Sequence, residues 1–176
     1  QTLYDVTSQV LHGVGDIIRK VRPDVVLVHG DTTSCFAASL AAYYENVAVA
    51  HVEAGLRTGE LRAPFPEEGN RVLVGRLATY HFAPTKASVD NLVRECVDIS
   101  SIVETGNTVI DALHIAKDKI KSISQNDWEA LVGPDVFNRL IDTNRKMVLI
   151  TGHRRENFGQ GFVDLCNAIK DLSLRY

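Results

Sequence analysis

The chain has 176 residues, of which 45% are hydrophobic and 23% charged, a composition typical of globular proteins that bury a core. Its 19 basic and 22 acidic residues leave a net charge of -3, which provides no general positive field for a nucleic-acid backbone. No apolar run reaches the roughly 20 residues of a membrane span, and no signal-like segment opens the chain. We therefore expect a cytoplasmic protein that binds neither nucleic acid nor membrane.

The three cysteines are too few and too far apart to indicate a disulfide framework. Cys35, Cys96 and Cys166 are odd in number, lie in apolar or helical patterns and form no C-x-x-C spacing. We interpret them as reduced core residues.

The first part of the chain alternates helix and strand patterns. Apolar residues at helical spacing stop before Pro23, which disfavours a helical residue ahead of it. The short β-branched run 25–28 predicts a strand buried on both faces of a parallel sheet. Residues 36–44 predict a helix capped by Asp31, Thr32 or Thr33, and residues 47–52 predict the next strand. This is a βαβ unit, whose crossover is right-handed and whose site lies at the carboxyl ends of the strands.

The alternation continues further along the chain, as expected of an α/β fold with a parallel sheet. Gly106 and Asn107 interrupt it, and Gly133 with Pro134 marks a loop. The patterns predict helices at 67–77, 86–95, 109–123 and 162–174, and strands at 80–83, 102–104 and 147–150.

Two carboxylates follow neighbouring strands. Asp31 lies in the sequence H-G-D-T-T beside Gly30, which would let the backbone approach a ligand, and Glu53 lies in H-V-E-A-G-L-R, four residues before Arg57. Because parallel strands end at one sheet edge, these groups are candidates for a shared site. A helix cap at Asp31 and a surface ion pair between Glu53 and Arg57 are the alternatives.

Two later segments also carry charged groups in a suggestive context. In P-F-P-E-E-G-N-R, Glu67 and Arg71 stand at i and i+4, either as an exposed pair or as a carboxylate oriented by a guanidinium. In T-G-H-R-R-E-N, His153 and Arg154 follow a predicted strand and precede a helix, which favours a diphosphate clamp. The alternative for this segment is a basic loop paired with Glu156.

Taken in order, these segments together with T-G-N-T-V-I-D-A resemble the signature of the non-hydrolysing UDP-N-acetylglucosamine (UDP-GlcNAc) 2-epimerases. The resemblance implies a fold similar to the GT-B glycosyltransferases, with two Rossmann-like domains, the nucleotide sugar between them, and a homodimer. It implies that residues 1–107 are part of the first domain, and that 108–176 are a linker and the start of the second. Family members are about twice as long, so we expect the chain to be incomplete at both ends and inactive alone.

The resemblance also implies a reaction. UDP leaves UDP-GlcNAc to give 2-acetamidoglucal and then adds back, which yields UDP-N-acetylmannosamine (UDP-ManNAc), a precursor for polysaccharide biosynthesis. By the same resemblance, the catalytic residues are Asp31, Glu53, Glu67, Arg71 and His153, and the substrate-binding residues are Gly30, Arg57, Asn107 and Arg154. Which acid removes the proton from carbon 2 stays open.

Three other functions fit parts of the sequence. These are a hydrolysing 2-epimerase, a GT-B glycosyltransferase, and a nucleotide-sugar binding module without catalysis. Because the six histidines lack metal-ligand spacing and no G-x-G-x-x-G follows a strand, we expect neither a metal nor a cofactor.

Overall fold

Four parallel strands form the sheet of the first part of the chain. The structure is a computed structural model that describes residues 2–142, 144, 147–151 and 159–175. The strands are β1 Val25–His29, β2 Ala48–Val52, β3 Tyr80–Ala83 and β4 Ile102–Glu104, and they lie side by side in chain order. Each pairs in parallel with the next, and His29 of β1 stands opposite Val52 of β2. The predicted α/β class is confirmed.

Helices alternate with these strands along the chain and bury the hydrophobic core of this part of the molecule. They are α1 Leu3–Val21, α2 Thr33–Tyr44, α3 Glu67–Leu77, α4 Lys86–Arg94 and α5 Thr108–Ile120. The chain leaves α1 through Arg22, which is left-handed and directly precedes Pro23. Small side chains on α2, among them Ala37, Ala41 and Ala42, are fully buried, which lets this helix pack closely on its neighbours.

The chain divides into two units, residues 1–117 and 118–176. Beyond α5, the second unit contains α6 Gln125–Val132, α7 Pro134–Ile141 and α8 Gln160–Arg175. Ser124 and Asp127 form a capping box at the start of α6, and Pro134 occupies the first turn of α7. No described helix is both long and apolar enough to cross a membrane.

Three sequence-based expectations are wrong. β1 is not buried on both faces, because Val25 and Leu27, which alternate onto the same face of the sheet, are 44% and 64% exposed. Residues 147–150 form no strand, since a strand needs a paired neighbour and the described part of the second unit provides none. Only Cys35 is a core residue, whereas Cys96 and Cys166 are exposed.

Candidate functional site

The turn after β1 and the turn after β2 lie next to each other at the carboxyl edge of the sheet. The Gly30 amide donates to the Val52 carbonyl at 3.1 Å, so the two strand ends are level. Gly30 has a φ of +78°, and a Cβ there would stand 3.6 Å from Glu53 Oε2. His29 Nε2 lies 3.5 Å from the same oxygen. The structure thus brings the Glu53 carboxylate against His29 and Gly30 of the H-G-D turn.

Asp31 is an ion-pair partner and not a helix cap. Thr32 caps α2, accepting a hydrogen bond from the Cys35 amide, which leaves the Asp31 side chain free for other contacts. Arg71 Nε donates to Asp31 Oδ2 at 2.9 Å, and Nη2 forms an ion-pair contact with the same oxygen at 2.7 Å. The Asn70 side chain donates to the Asp31 backbone carbonyl at 2.8 Å. These contacts therefore hold the turn after β1 against the first turns of α3.

Arg71 pairs with Glu68 and not with Glu67. Its Nη1 donates to Glu68 Oε2 at 3.0 Å, one residue closer along the helix than the predicted i,i+4 pair. Glu67 makes no hydrogen bond or ion pair with any described residue and stays partly exposed at the start of α3. Negative charge at this helix start is favoured by the helix dipole.

Glu68 is the most deeply buried acid of the described chain. Its Oε1 accepts from the backbone amides of Thr58 and Gly59 at 2.9 and 3.1 Å. Burial raises the pKa of the Glu68 carboxyl, but the hydrogen bonds from Gly59, Arg71 and Thr58 outweigh it and hold the pKa below its usual value. Glu68 is therefore ionised at neutral pH.

Arg57 pairs with neither Asp31 nor Glu53. Its Nε and Nη2 donate to the two oxygens of Glu95 at 2.7 and 2.9 Å, a bidentate pair. The predicted alternative of a surface pair with Glu53 is therefore wrong. Arg57 and Glu95 line a cavity of about 510 Å³ together with Thr58, Gly59, Leu61, Glu68, Val72, Asn91 and Arg94.

Two buried side chains contact the Gly30 carbonyl oxygen. His51 Nε2 lies 2.8 Å from that oxygen, and the Cys35 thiol donates to it at 3.3 Å. Burial, with a smaller contribution from Asp31, raises the pKa of Cys35 to about 11, so the thiol stays protonated at neutral pH. A protonated thiol is a poor nucleophile, which leaves Cys35 a packing role at the site.

The remaining predicted residues lie away from this contact network or outside the described residues. Asn107 follows β4, and its side chain accepts from the Val109 amide at 3.0 Å, so it caps the first turn of α5. His153 and Arg154 lie outside the residues that the structure describes. Among the described residues, no group of three or more His, Cys, Asp or Glu side chains could hold a metal ion.

Three residues at the site were not predicted from the sequence. His29 and His51 stand in the quoted motifs, but nothing in their spacing distinguishes them from core histidines. Glu68 had a usable signal, because it also stands at helical contact distance from Arg71, at i+3. Whether Arg71 pairs with Glu67 or with Glu68 depends on the position of its guanidinium, which also contacts Asp31.

Fold and site together define an α/β protein with a group of carboxylates at the carboxyl edge of a parallel sheet. The chain belongs to the UDP-N-acetylglucosamine 2-epimerase family, a family of isomerases, because the family model matches residues 1–176. The expectation from the sequence motifs is confirmed at the level of the family.

Curated relatives and solved structures agree with this assignment. The chain is 50% identical to the UDP-N-acetylglucosamine 2-epimerase of Escherichia coli over 173 residues, which are 98% of the chain and 45% of the relative. It matches the Neisseria meningitidis UDP-GlcNAc 2-epimerase bound to UDP-GlcNAc with a TM-score of 0.92 and 43% identity, covering 100% of the chain and 46% of that structure.

A more distant structure shows the same relation. The Methanocaldococcus jannaschii UDP-GlcNAc 2-epimerase in complex with UDP-GlcNAc and UDP is 33% identical, with a TM-score of 0.79 over 98% of the chain and 44% of that structure. The chain thus spans less than half the length of these relatives.

Proposed function

We propose that this chain is part of an enzyme that inverts carbon 2 of UDP-GlcNAc and forms UDP-ManNAc. In the first half of the reaction the bond between carbon 1 and the diphosphate oxygen breaks, carbon 2 loses its proton, and 2-acetamidoglucal and UDP result. In the second half UDP adds back to carbon 1 and carbon 2 receives a proton on the opposite face. No oxidant, metal or cofactor is needed for this balance.

The observation that carries the proposal is the pair of strand ends bearing Asp31 and Glu53. Proton removal and proton return on opposite faces of a sugar ring call for two separate acid–base groups. The two carboxylates follow neighbouring strands whose ends are level, at the sheet edge where α/β proteins bind ligands. Membership of the epimerase family supports this assignment.

Each carboxylate has a distinct environment. Arg71 Nε donates to Asp31 Oδ2 and Nη2 lies beside the same oxygen, so we assign Oδ1 to the ligand. Glu53 Oε2 lies 3.5 Å from the imidazole Nε2 of His29. Glu67, which has no partner among the described residues, is a third candidate acid.

The other predicted roles complete the proposal. The departing diphosphate requires cationic support, for which we assign His153 and Arg154. Gly30, Arg57 and Asn107 are proposed to contribute to substrate binding, and the working form is proposed to be a homodimer.

Deuterium incorporation tests the proposal directly. A protein of the relatives' full length that carries these 176 residues is incubated with UDP-GlcNAc in heavy water and followed by proton NMR. We expect deuterium at carbon 2 of both UDP-GlcNAc and UDP-ManNAc, because either epimer can lose the proton from carbon 2 and regain one from solvent.

Two outcomes would contradict the proposal. Accumulation of free N-acetylmannosamine and UDP would indicate the hydrolysing reaction. Binding of UDP-GlcNAc without any exchange at carbon 2 would indicate a binding module or a transferase that requires an acceptor.

A further inference from the structure

Glu68 is a buried carboxylate that the proposed reaction does not use. Its side chain is 2% exposed at the edge of the Arg57 cavity, and both of its oxygens are occupied. Oε1 takes the amides of Thr58 and Gly59, and Oε2 takes Arg71 Nη1. Burying a charge is unfavourable unless it is paired and hydrogen-bonded, and these three donors meet that requirement.

Arg71 connects Glu68 to Asp31. The guanidinium is a rigid planar fork, so fixing Nη1 on Glu68 also fixes the direction of Nε and Nη2. Nε donates to Asp31 Oδ2, and Nη2 lies 2.7 Å from the same oxygen. Glu68 thereby determines which carboxylate oxygen of Asp31 is occupied and which one stays open.

We propose that Glu68 is a positioning residue for Asp31 and acts through Arg71. The inference rests on the proposed function, since it assumes that Asp31 takes part in proton transfer. Glu68 touches no reacting atom; its effect is to hold the Arg71 fork so that Asp31 Oδ1 faces the ligand. Glu67, its neighbour in the sequence, has no such contact with Arg71.

Glu68→Gln in the full-length protein separates this role from loop support. The glutamine oxygen can keep the two loop amides of Thr58 and Gly59, but its NH₂ group then faces Arg71 Nη1, donor against donor. We expect Arg71 to swing away from Asp31 and kcat to fall by about 10- to 100-fold, because small misplacements of a reacting group have effects of that size. KM should change little, since Glu68 does not touch the substrate.

Glu60→Gln is the matched control. Glu60 lies on the same loop, is exposed, and its carboxylate has no partner among the described residues. The kcat and KM of the Glu60→Gln variant should equal those of the unmodified protein.

A double-variant comparison distinguishes positioning from general stability. If Glu68 acts only through Arg71, kcat of Arg71→Lys combined with Glu68→Gln should be no lower than kcat of Arg71→Lys alone. If the losses of kcat in Arg71→Lys and Glu68→Gln multiply in the double variant, the inference is wrong. An unchanged kcat in Glu68→Gln alone would also overturn it.

The proposed function and this inference fail in different ways. If the unmodified protein shows no exchange at carbon 2, the proposed function is wrong, and a crystal structure of Glu68→Gln then tests the inference. Displacement of the Arg71 guanidinium from Asp31 in that structure would support the connection. An unchanged Arg71 geometry would refute it.

Discussion

The backbone of Glu53 is held in an unusual conformation by the turn after β2. Its φ is +70°, a left-handed value that costs a non-glycine residue about 1–2 kcal/mol. The Ala54 amide bonds to the Phe82 carbonyl at 3.0 Å and so fixes the residue that follows. Strained backbone of this kind collects where a side chain must be aimed, which fits a carboxylate directed at a ligand.

Charge-neutral substitutions test the proposed acids. Asp31→Asn, Glu53→Gln and Glu67→Gln remove one carboxylate each with little change in shape. In the full-length protein, we expect the rate of deuterium exchange at carbon 2 to fall by about 10²–10⁴-fold in each variant whose carboxylate transfers a proton. Asp24→Asn is the control, because Asp24 is exposed at the opposite end of β1. If all three variants keep the unmodified rate, the assignment of these acids is wrong.

Stability should depend on pH through His51. Burial lowers the pKa of His51 to about 4 from 6.5, against the opposing effect of its hydrogen bond to Gly30. Between these two values the unfolded chain binds a proton that the folded chain does not. The free energy of unfolding should therefore fall as the pH drops from 6.5 to 4, by about 3 kcal/mol for this residue.

Urea denaturation at several pH values measures this dependence. His51→Gln retains a donor for the Gly30 carbonyl and removes the titrating group, so the dependence should become weaker. His81, also buried and with a lowered pKa, should account for part of what remains. His12→Gln on the exposed surface of α1 should change nothing; an equal effect from both variants would contradict the assignment to His51.

At the scale of the elements, hydrophobic periodicity predicted most of the first unit. The strand and helix limits there differ from expectation by a few residues, because local patterns mark buried faces well and end points poorly. α6 and α7 were missed, although Ser124 and Asp127 form a readable capping box. The strand predicted at 147–150 is an error of the opposite kind, because it was predicted and is not found. An apolar run indicates burial, but it does not indicate that a pairing partner is present.

Gly55 sets how closely α4 approaches the turn after β2. A Cβ at this position would lie 2.3 Å from the Ser88 carbonyl oxygen, and φ is +86°. Gly55→Ala should therefore lower the free energy of unfolding by about 2–4 kcal/mol, from the clash and the backbone strain together.

Gly59→Ala is the matched control for Gly55→Ala. Gly59 has a similar φ of +83°, but no atom lies within 4 Å of the added Cβ. It should cost only the strain, about 1–2 kcal/mol. Urea denaturation of both variants isolates the contact with Ser88, and equal losses would mean that this contact contributes nothing.

At the scale of the whole molecule, the order of the motifs predicted the family, while the contacts of the site required the structure. Asp31, Glu53 and Arg71 could be selected because strand ends and charged residue types are visible in the sequence. The link from Glu68 through Arg71 to Asp31 could not be, since it joins residues 40 positions apart. Long-range pairing is decided by packing, which a single sequence does not display.

The exposed face of β1 should make the isolated 176-residue chain associate. Val25 and Leu27 lie on an edge strand, and apolar edges favour pairing with further chains. Leu27→Thr keeps a residue suited to strands and should shift sedimentation towards the monomer. Leu131→Gln, at a position 72% exposed on α6, should not. Association that is equally strong in both variants would exclude this face as the cause.

The pairing of Arg71 with two acids also determines how a substrate can be oriented. One guanidinium serves Asp31 and Glu68, while Glu53 and Glu67 have no arginine or lysine partner among the described residues. The described side chains at this edge of the sheet therefore carry net negative charge, which disfavours a diphosphate and tolerates an uncharged ring. Under the proposed function, the sugar should face the carboxylates, and the phosphates should turn away from them. In that proposal, repulsion at one end of the nucleotide sugar aligns it together with attraction at the other end.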